Sequence, residues 1–215
     1  QRTLIATVAV VVVLVLAVVI GVVVQDRRGA EALGDVAAPG GVSGGAVVRG
    51  GGPVAVDIYE DFQCPFCKQF EQSAGDTLTQ LRTDGKITVR YHPIAFLDDA
   101  STTDYSSRAL NAAACLLDEH PEGFDTLHKA LFDQQPDEGS AGLSDATLTQ
   151  LVAQAGAPNA AACISTRQFA SWVRAVTDQS SKDHVVQTPT VRVDGKDLGT
   201  PTVAALTSAV TAAAG

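Results

Sequence analysis

The chain has 215 residues, 46% of them hydrophobic, 18% charged and only 5% aromatic, with a formal net charge of −9. That is enough for one ordinary domain with appendages. An acidic balance of this size repels phosphate backbones and excludes a nucleic-acid-binding role. With no methionine anywhere, the chain is expected to lack its natural start.

In chain order, Thr3 to Val24 carries no charge. At ~1.5 Å per residue a helix over that run would be about 33 Å long, enough to span bilayer hydrocarbon. A cleaved signal peptide would have a shorter apolar core followed closely by small residues. Here Arg27 and Arg28 follow instead, so a retained single-pass anchor over 3–24 is expected. Residues 25–45 are expected to form a flexible linker. Nine of the 19 glycines fall between Gln25 and Gly52, and so little apolar surface cannot offset the entropy of ordering. The folded domain is expected over 46–215.

Within it, Val54–Tyr59 is β-branched and apolar and predicts a strand. A helix is expected from about Pro65 to Arg82, and a second strand over Lys86–Tyr91. An alanine-rich helical block follows (about 99–182), interrupted at Pro121, between Pro136 and Gly142, and at Pro158. Phe169, Trp172, Val173 and Val176 recur at helical spacing, as in a core stripe. Thr190–Val193 and Asp197–Leu198 flank Asp194-Gly195, a hairpin signal. A final helix is expected to open at Thr200-Pro201, with Thr200 as N-cap. The fold class is α/β, a small sheet interrupted by helices.

Cys64-Pro65-Phe66-Cys67 concentrates the chemistry. Residues three apart on one helical turn share a face, about 5–6 Å apart, within reach of a disulfide. Cys64 would sit at the helix start, beside free N–H groups and the positive end of the dipole, where a thiolate is stabilised. Cys64 is therefore the expected attacking thiol, and Cys67, one turn inside, the resolving one. Pro65 suits the first helical position. A zinc site would need two more ligands at matching spacing. Cys115 and Cys163 stand alone among alanines, and His92, His120, His128 and His184 form no such pattern, so no metal is expected. His120, Glu122, Asp125 and His128 read as a solvated acidic turn. No phosphate loop or serine-nucleophile elbow is present.

Asp61-Phe62-Gln63-Cys64-Pro65-Phe66-Cys67-Lys68 after a strand, with Thr188-Pro189-Thr190-Val191 before a hairpin, resembles the DsbA-like thioredoxin-fold disulfide oxidoreductases. The likeness is to the membrane-tethered, exported members from actinobacteria. It covers about Ala46 to Gly215, with the helical block as the family's insertion. The resemblance implies that Pro189 is a cis-proline facing the cysteines and that Thr188 with it holds a substrate peptide like an added strand. By their own settings Cys115 and Cys163 suit buried free thiols. An even cysteine count in an oxidising compartment favours a bridge, and the resemblance implies a structural disulfide between them. It further implies exported cysteine-containing clients and a membrane reoxidant resembling vitamin K epoxide reductase. No cofactor is required, because the cysteines carry the electrons.

Two departures from the family stand out. The internal dipeptide is Pro-Phe where strongly oxidising relatives carry Pro-His, so a milder oxidant is expected. The position of the thioredoxins' buried acid holds Ile58, with Asp57 and Glu60 beside it and expected on the opposite strand face. Both are read as solvated or structural carboxylates, with a proton-transfer role left open. The expected function is a membrane-anchored, extracytoplasmic thiol–disulfide oxidoreductase. The alternatives are a reductase or isomerase of exported disulfides, or a non-catalytic thioredoxin-fold peptide-binding module.

Overall fold

The computed structural model describes Leu33 and residues 36–214. The anchor expected over 3–24 and the first part of the linker lie outside the described residues. Among the described residues no helix is long and apolar enough to cross a membrane.

Six strands form one sheet: β1 (Val42–Ser43), β2 (Ala46–Gly50), β3 (Val54–Glu60), β4 (Ile87–Pro93), β5 (Thr190–Val193) and β6 (Lys196–Asp197). Their spatial order is β1-β2-β4-β3-β5-β6. The sheet thus starts a few residues ahead of the expected boundary at Ala46. Val42 pairs with Val47 and Ser43 with Ala46. Gly44 and Gly45 both have positive φ, +55° and +84°, as the tight turn between two such strands demands. These glycines make a hairpin where composition alone suggests a tether.

Strand β3 is central. It runs parallel to β4 and antiparallel to β5, with Tyr59 opposite both His92 and Thr190. Helix α1 (Pro65–Thr83) joins β3 to β4. It buries Cys67, Phe70, Ala74 and Leu78, the stripe that a period of 3.6 residues turns to one side. Gly85, at φ +67°, ends that turn in a conformation other residues rarely adopt.

Between β4 and β5 lies the helical block, with α2 (Tyr105–Glu119), α3 (Phe124–Asp133), α4 (Asp145–Gln154), α5 (Ala161–Thr166) and α6 (Ala170–Lys182). Twelve of the fifteen residues of α2 are buried; this helix is the axis around which the block packs. Trp172, Val173 and Val176 are buried as the stripe requires. The final helix, α7 (Val203–Ala214), contacts β5, β3 and α1. Its cap is Thr202, not Thr200: Thr202 Oγ1 accepts from the Ala205 N–H at 3.1 Å. At the β5–β6 turn Asp194 and Gly195 both have positive φ, consistent with the Asp-Gly hairpin signal.

Candidate active site

The end of β3, the start of α1 and the start of β5 converge at one edge of the sheet. Cys64 is the N-cap of α1, in extended backbone, with Pro65 at the first helical position. Its N–H donates to the Asp61 carbonyl at 3.0 Å, which turns the chain sharply out of the strand. Both cysteines are free thiols and buried. The Cys67 thiol donates to Cys64, and the N–H groups of Cys67 and Phe66 add to this; against the opposing effect of burial they lower the Cys64 thiol from 9.0 to about 6. Burial, together with the neighbouring Cys64, pushes the Cys67 thiol well above its ordinary value. One sulfur is therefore a thiolate at neutral pH while the other keeps its proton.

The peptide bond between Thr188 and Pro189 is cis, and the Thr188 carbonyl lies 3.3 Å from Cys64 Sγ across 124 positions of sequence. Beside it runs a groove of about 590 Å³ lined by Phe66, Phe70, Ser73, Thr188, Pro189 and Val203, among others. Phe66 is 67% exposed, and Val186, just ahead of Thr188, is 85% exposed; they are the two large hydrophobic side chains most open to solvent among the described residues.

Three side chains that sequence reasoning gave no role hold this loop in place. Gln135, just after α3, donates through Nε2 to the carbonyls of Phe62 at 3.1 Å and Cys64 at 2.9 Å. Gln63 Nε2 donates to the Asp137 and Ser140 carbonyls at 3.3 and 3.4 Å. Asp61, fully buried, accepts from Ser106 Oγ at 2.6 Å, the Gln63 N–H at 2.8 Å and the Leu97 N–H at 3.0 Å. Burial raises its carboxyl to about 6 despite those donors. The signal for Asp61 and Gln63 was adjacency to the cysteine pair; Gln135 carried none, because its contact is long-range.

The two carboxylates beside Ile58 part company. Asp57 faces a cavity of about 580 Å³ on the other side of the sheet, where it accepts from Arg90 at 2.6 Å and sits 2.9 Å from His92 Nε2. Burial opposes its ionisation, yet His92 and Arg90 outweigh this and hold its carboxyl below the usual range. Glu60 is on the face of Ile58 rather than opposite it, because residues two apart on a strand point the same way. It is 1% exposed, and its Oε1 lies 2.7 Å from His128 Nε2. His128 is correspondingly not part of a solvated turn. Pro121 and Gly123 precede α3, and His128 falls on its buried face with Phe124, Leu127, Leu131 and Phe132. His120, Glu122 and Asp125 are exposed.

Cys115 on α2 and Cys163 on α5 are bridged, with their Cα atoms 5.9 Å apart.

Comparison with known proteins accords with this geometry. The family model described as Thioredoxin matches residues 49–212. DsbA from Mycobacterium tuberculosis, in its reduced form, is 33% identical, with a TM-score of 0.68 over 78% of this chain and 91% of that one. DsbG from the same organism is 35% identical, with a TM-score of 0.70 over 79% and 87%. BdbD from Bacillus subtilis shares the fold at 22% identity, with a TM-score of 0.70 over 82% and 96%. A curated relative, the serine/threonine-protein kinase PknE of M. tuberculosis, is 36% identical over 118 residues, which are 52% of this chain. The chain spans only 21% of that kinase's length. The chain belongs to the thioredoxin family and, within it, to the DsbA-like thiol–disulfide oxidoreductases.

Proposed function

We propose that the chain is an extracytoplasmic oxidase that passes its Cys64–Cys67 disulfide to exported cysteine-containing proteins as they fold. The observation that carries this is the placement of Cys64 at the N-cap of α1, with the Cys67 thiol and the N–H groups of Cys67 and Phe66 donating to its sulfur. A thiolate so stabilised is a good leaving group, and a couple whose reduced form is stabilised oxidises its partners. A client thiolate attacks Cys64 Sγ, the Cys64–Cys67 bond breaks, and its electron pair goes to Cys67. A second client thiolate then attacks the client's own sulfur and displaces Cys64. The client segment lies along Thr188-Pro189 as an added strand, and the apolar groove beside Phe66 takes its flanking side chains.

The anchor over Thr3–Val24 would hold the domain at the membrane, where a reoxidant resembling vitamin K epoxide reductase recharges the pair. The Cys115–Cys163 bridge supports an oxidising compartment. Phe66 favours the second reading, a reductase or isomerase, because its ring neither carries charge nor donates a hydrogen bond to the thiolate.

The test is refolding of reduced ribonuclease by the oxidised protein, alongside insulin reduction. The proposal expects ribonuclease activity to return, Cys64→Ser to abolish it, and Cys67→Ser to trap mixed disulfides. Insulin reduction without ribonuclease oxidation would replace the oxidase reading with the reductase one.

A further inference from the structure

The cavity that Asp57 faces has no part in the exchange steps above. It lies between the sheet and the last turns of α6, and its volume of about 580 Å³ falls within the roughly 300–1,000 Å³ of sites that take small organic molecules. Strand register lays its floor. Arg90 on β4 and Arg192 on β5 both stand opposite Asp57 on β3. Two guanidinium-bearing residues thus flank one carboxylate, roughly 10 Å apart at their backbones by strand spacing. Two residues along, Tyr59 stands opposite His92, and their rings stack with centroids 4.3 Å apart at 12°. The Arg192 guanidinium lies over the Tyr59 ring, 5.1 Å from its centroid. Leu33, Ile94 and Val176 add apolar wall.

The charges that line this cavity do not cancel. Arg90, Lys182 and Arg192 face the carboxylates of Asp57 and Asp183, and His92 and His184 add two imidazoles. This positive excess sits on a chain whose net charge is −9. Both carboxylates are engaged with groups other than Arg192. Asp57 accepts from Arg90 Nη2 at 2.6 Å and sits 2.9 Å from His92 Nε2, while Asp183 accepts from Gln179 Nε2 at 3.0 Å. Arg192 donates to the Asp183 backbone carbonyl instead, at 3.0 Å. Among the described residues neither Arg192 nor Lys182 has a carboxylate at ion-pair distance. Arg90 Nε is buried with no hydrogen-bond partner, an arrangement that folded proteins seldom leave without an ion or water to answer it.

We infer that this cavity binds a small phosphate monoester with an apolar body, its head held by Arg90, Lys182 and Arg192 and its body laid against Tyr59, Ile94 and Val176. A guanidinium meets an oxyanion with paired, charge-assisted donors. Three cations delivered by three elements, β4, β5 and α6, match the three terminal oxygens of a phosphate monoester better than the two of a carboxylate. The stacked Tyr59 and His92 rings supply flat apolar surface beside the head. The inference stands apart from the redox reading, since the cavity shares no lining residue with the groove beside Cys64. A free metabolite and the headgroup of a membrane phosphatidic acid present the same chemistry; the enclosed volume favours the free molecule.

The test titrates phenyl phosphate into the nitrogen-15-labelled full chain, held in phosphatidylcholine nanodiscs, and reads backbone amide shifts. Potassium chloride at matched ionic strength controls for screening. Saturating shifts should gather at Tyr59, His92, Lys182 and Arg192. Inorganic phosphate, which lacks the apolar body, should bind about tenfold more weakly, and benzoate should also bind more weakly than phenyl phosphate. Arg192→Gln should weaken phenyl phosphate by about tenfold or more, as loss of a charge-assisted hydrogen bond does. Lys182→Gln, at an exposed side chain, should weaken it by about threefold and tests the idea even if Arg192→Gln does not fold. Arg174→Gln, exposed on α6 and not a lining residue, should leave binding unchanged. Shifts that do not saturate, shifts that chloride reproduces, or equal binding by the wild type and either folded cavity variant overturn the inference. Shifts at the cavity in nanodiscs doped with phosphatidic acid, with none from phenyl phosphate, overturn it in favour of a lipid headgroup.

Discussion

Raising the pH at a fixed glutathione ratio should drive the Cys64–Cys67 couple toward its dithiol form by about tenfold per pH unit. Reduction of the disulfide takes up two electrons. The Cys64 thiol is depressed to about 6, so above that pH it stays a thiolate and only Cys67, held high by burial, takes a proton. Oxidising two glutathione thiols, with ordinary values near ~8.5, releases two protons. One proton is thus liberated per protein reduced, and lowering the proton concentration tenfold raises the ratio of reduced to oxidised protein tenfold. The window runs from about 6 to about 8.5. Because the folded value is depressed, the reduced form gains as pH rises through 6 and loses the advantage below it. Each factor of ten corresponds to about 30 mV for a two-electron couple. The assay is equilibration in glutathione buffers at several pH values, acid quenching and counting of alkylated thiols. A ratio that stays flat across this window would mean that both protein thiols keep their protons. The argument from the helix terminus would then fail.

Three further outcomes follow from named contacts. Replacing Cys115 and Cys163 together by alanine opens a link between residues 48 apart and should cost about 4 kcal/mol on the chain-entropy account. That lowers the calorimetric melting temperature by roughly 8–16 °C, while exchange activity, housed at the far end of α2, is largely kept. Phe66→His, at a side chain 67% exposed, should leave stability unchanged. It should move the midpoint of iodoacetamide labelling of Cys64 below about 6 and make the couple more oxidising, by adding a cation beside the thiolate. Gln135→Leu removes the donor shared by the Phe62 and Cys64 carbonyls. Urea unfolding should report a loss of about 1–3 kcal/mol with an unchanged m value.

The redox pair was legible because its chemistry is local: a strand, a proline at the first helical position and two cysteines one turn apart occupy a single stretch of chain. Strands β3 and β4, helix α1 and the Asp194-Gly195 turn were legible for the same reason. Pairing of Thr188-Pro189 with that stretch was not a local property and came from resemblance to a family. The buried side of the site differs from the expectation in two places. Glu60 stands two residues from Ile58 and so shares its face, not the opposite one. His128 reads as solvated beside the acidic residues around it, yet Phe124, Leu127, His128 and Leu131 mark one helical stripe. Gly44 and Gly45 show how composition misleads, since the same glycines that suggest a tether are what a two-residue hairpin uses. Gln135 lies in a loop and acts at a distance of more than seventy positions. No periodicity or motif encodes such a contact.

The placement of β5 has a consequence for how the chain becomes active during folding. Cys64 and Cys67 belong to the first half of the domain, and β3, α1 and β4 can associate through near neighbours in sequence. Thr188 reaches Cys64 only when β5 docks on the far side of β3, after the whole helical block has been closed into a loop, an entropic cost that grows with its length. Before that docking the two thiols exist without the strand that would receive a client. Half-made chains therefore carry reactive sulfur but no platform on which to use it, and the last strand pairing to form is the one that turns a cysteine pair into an enzyme.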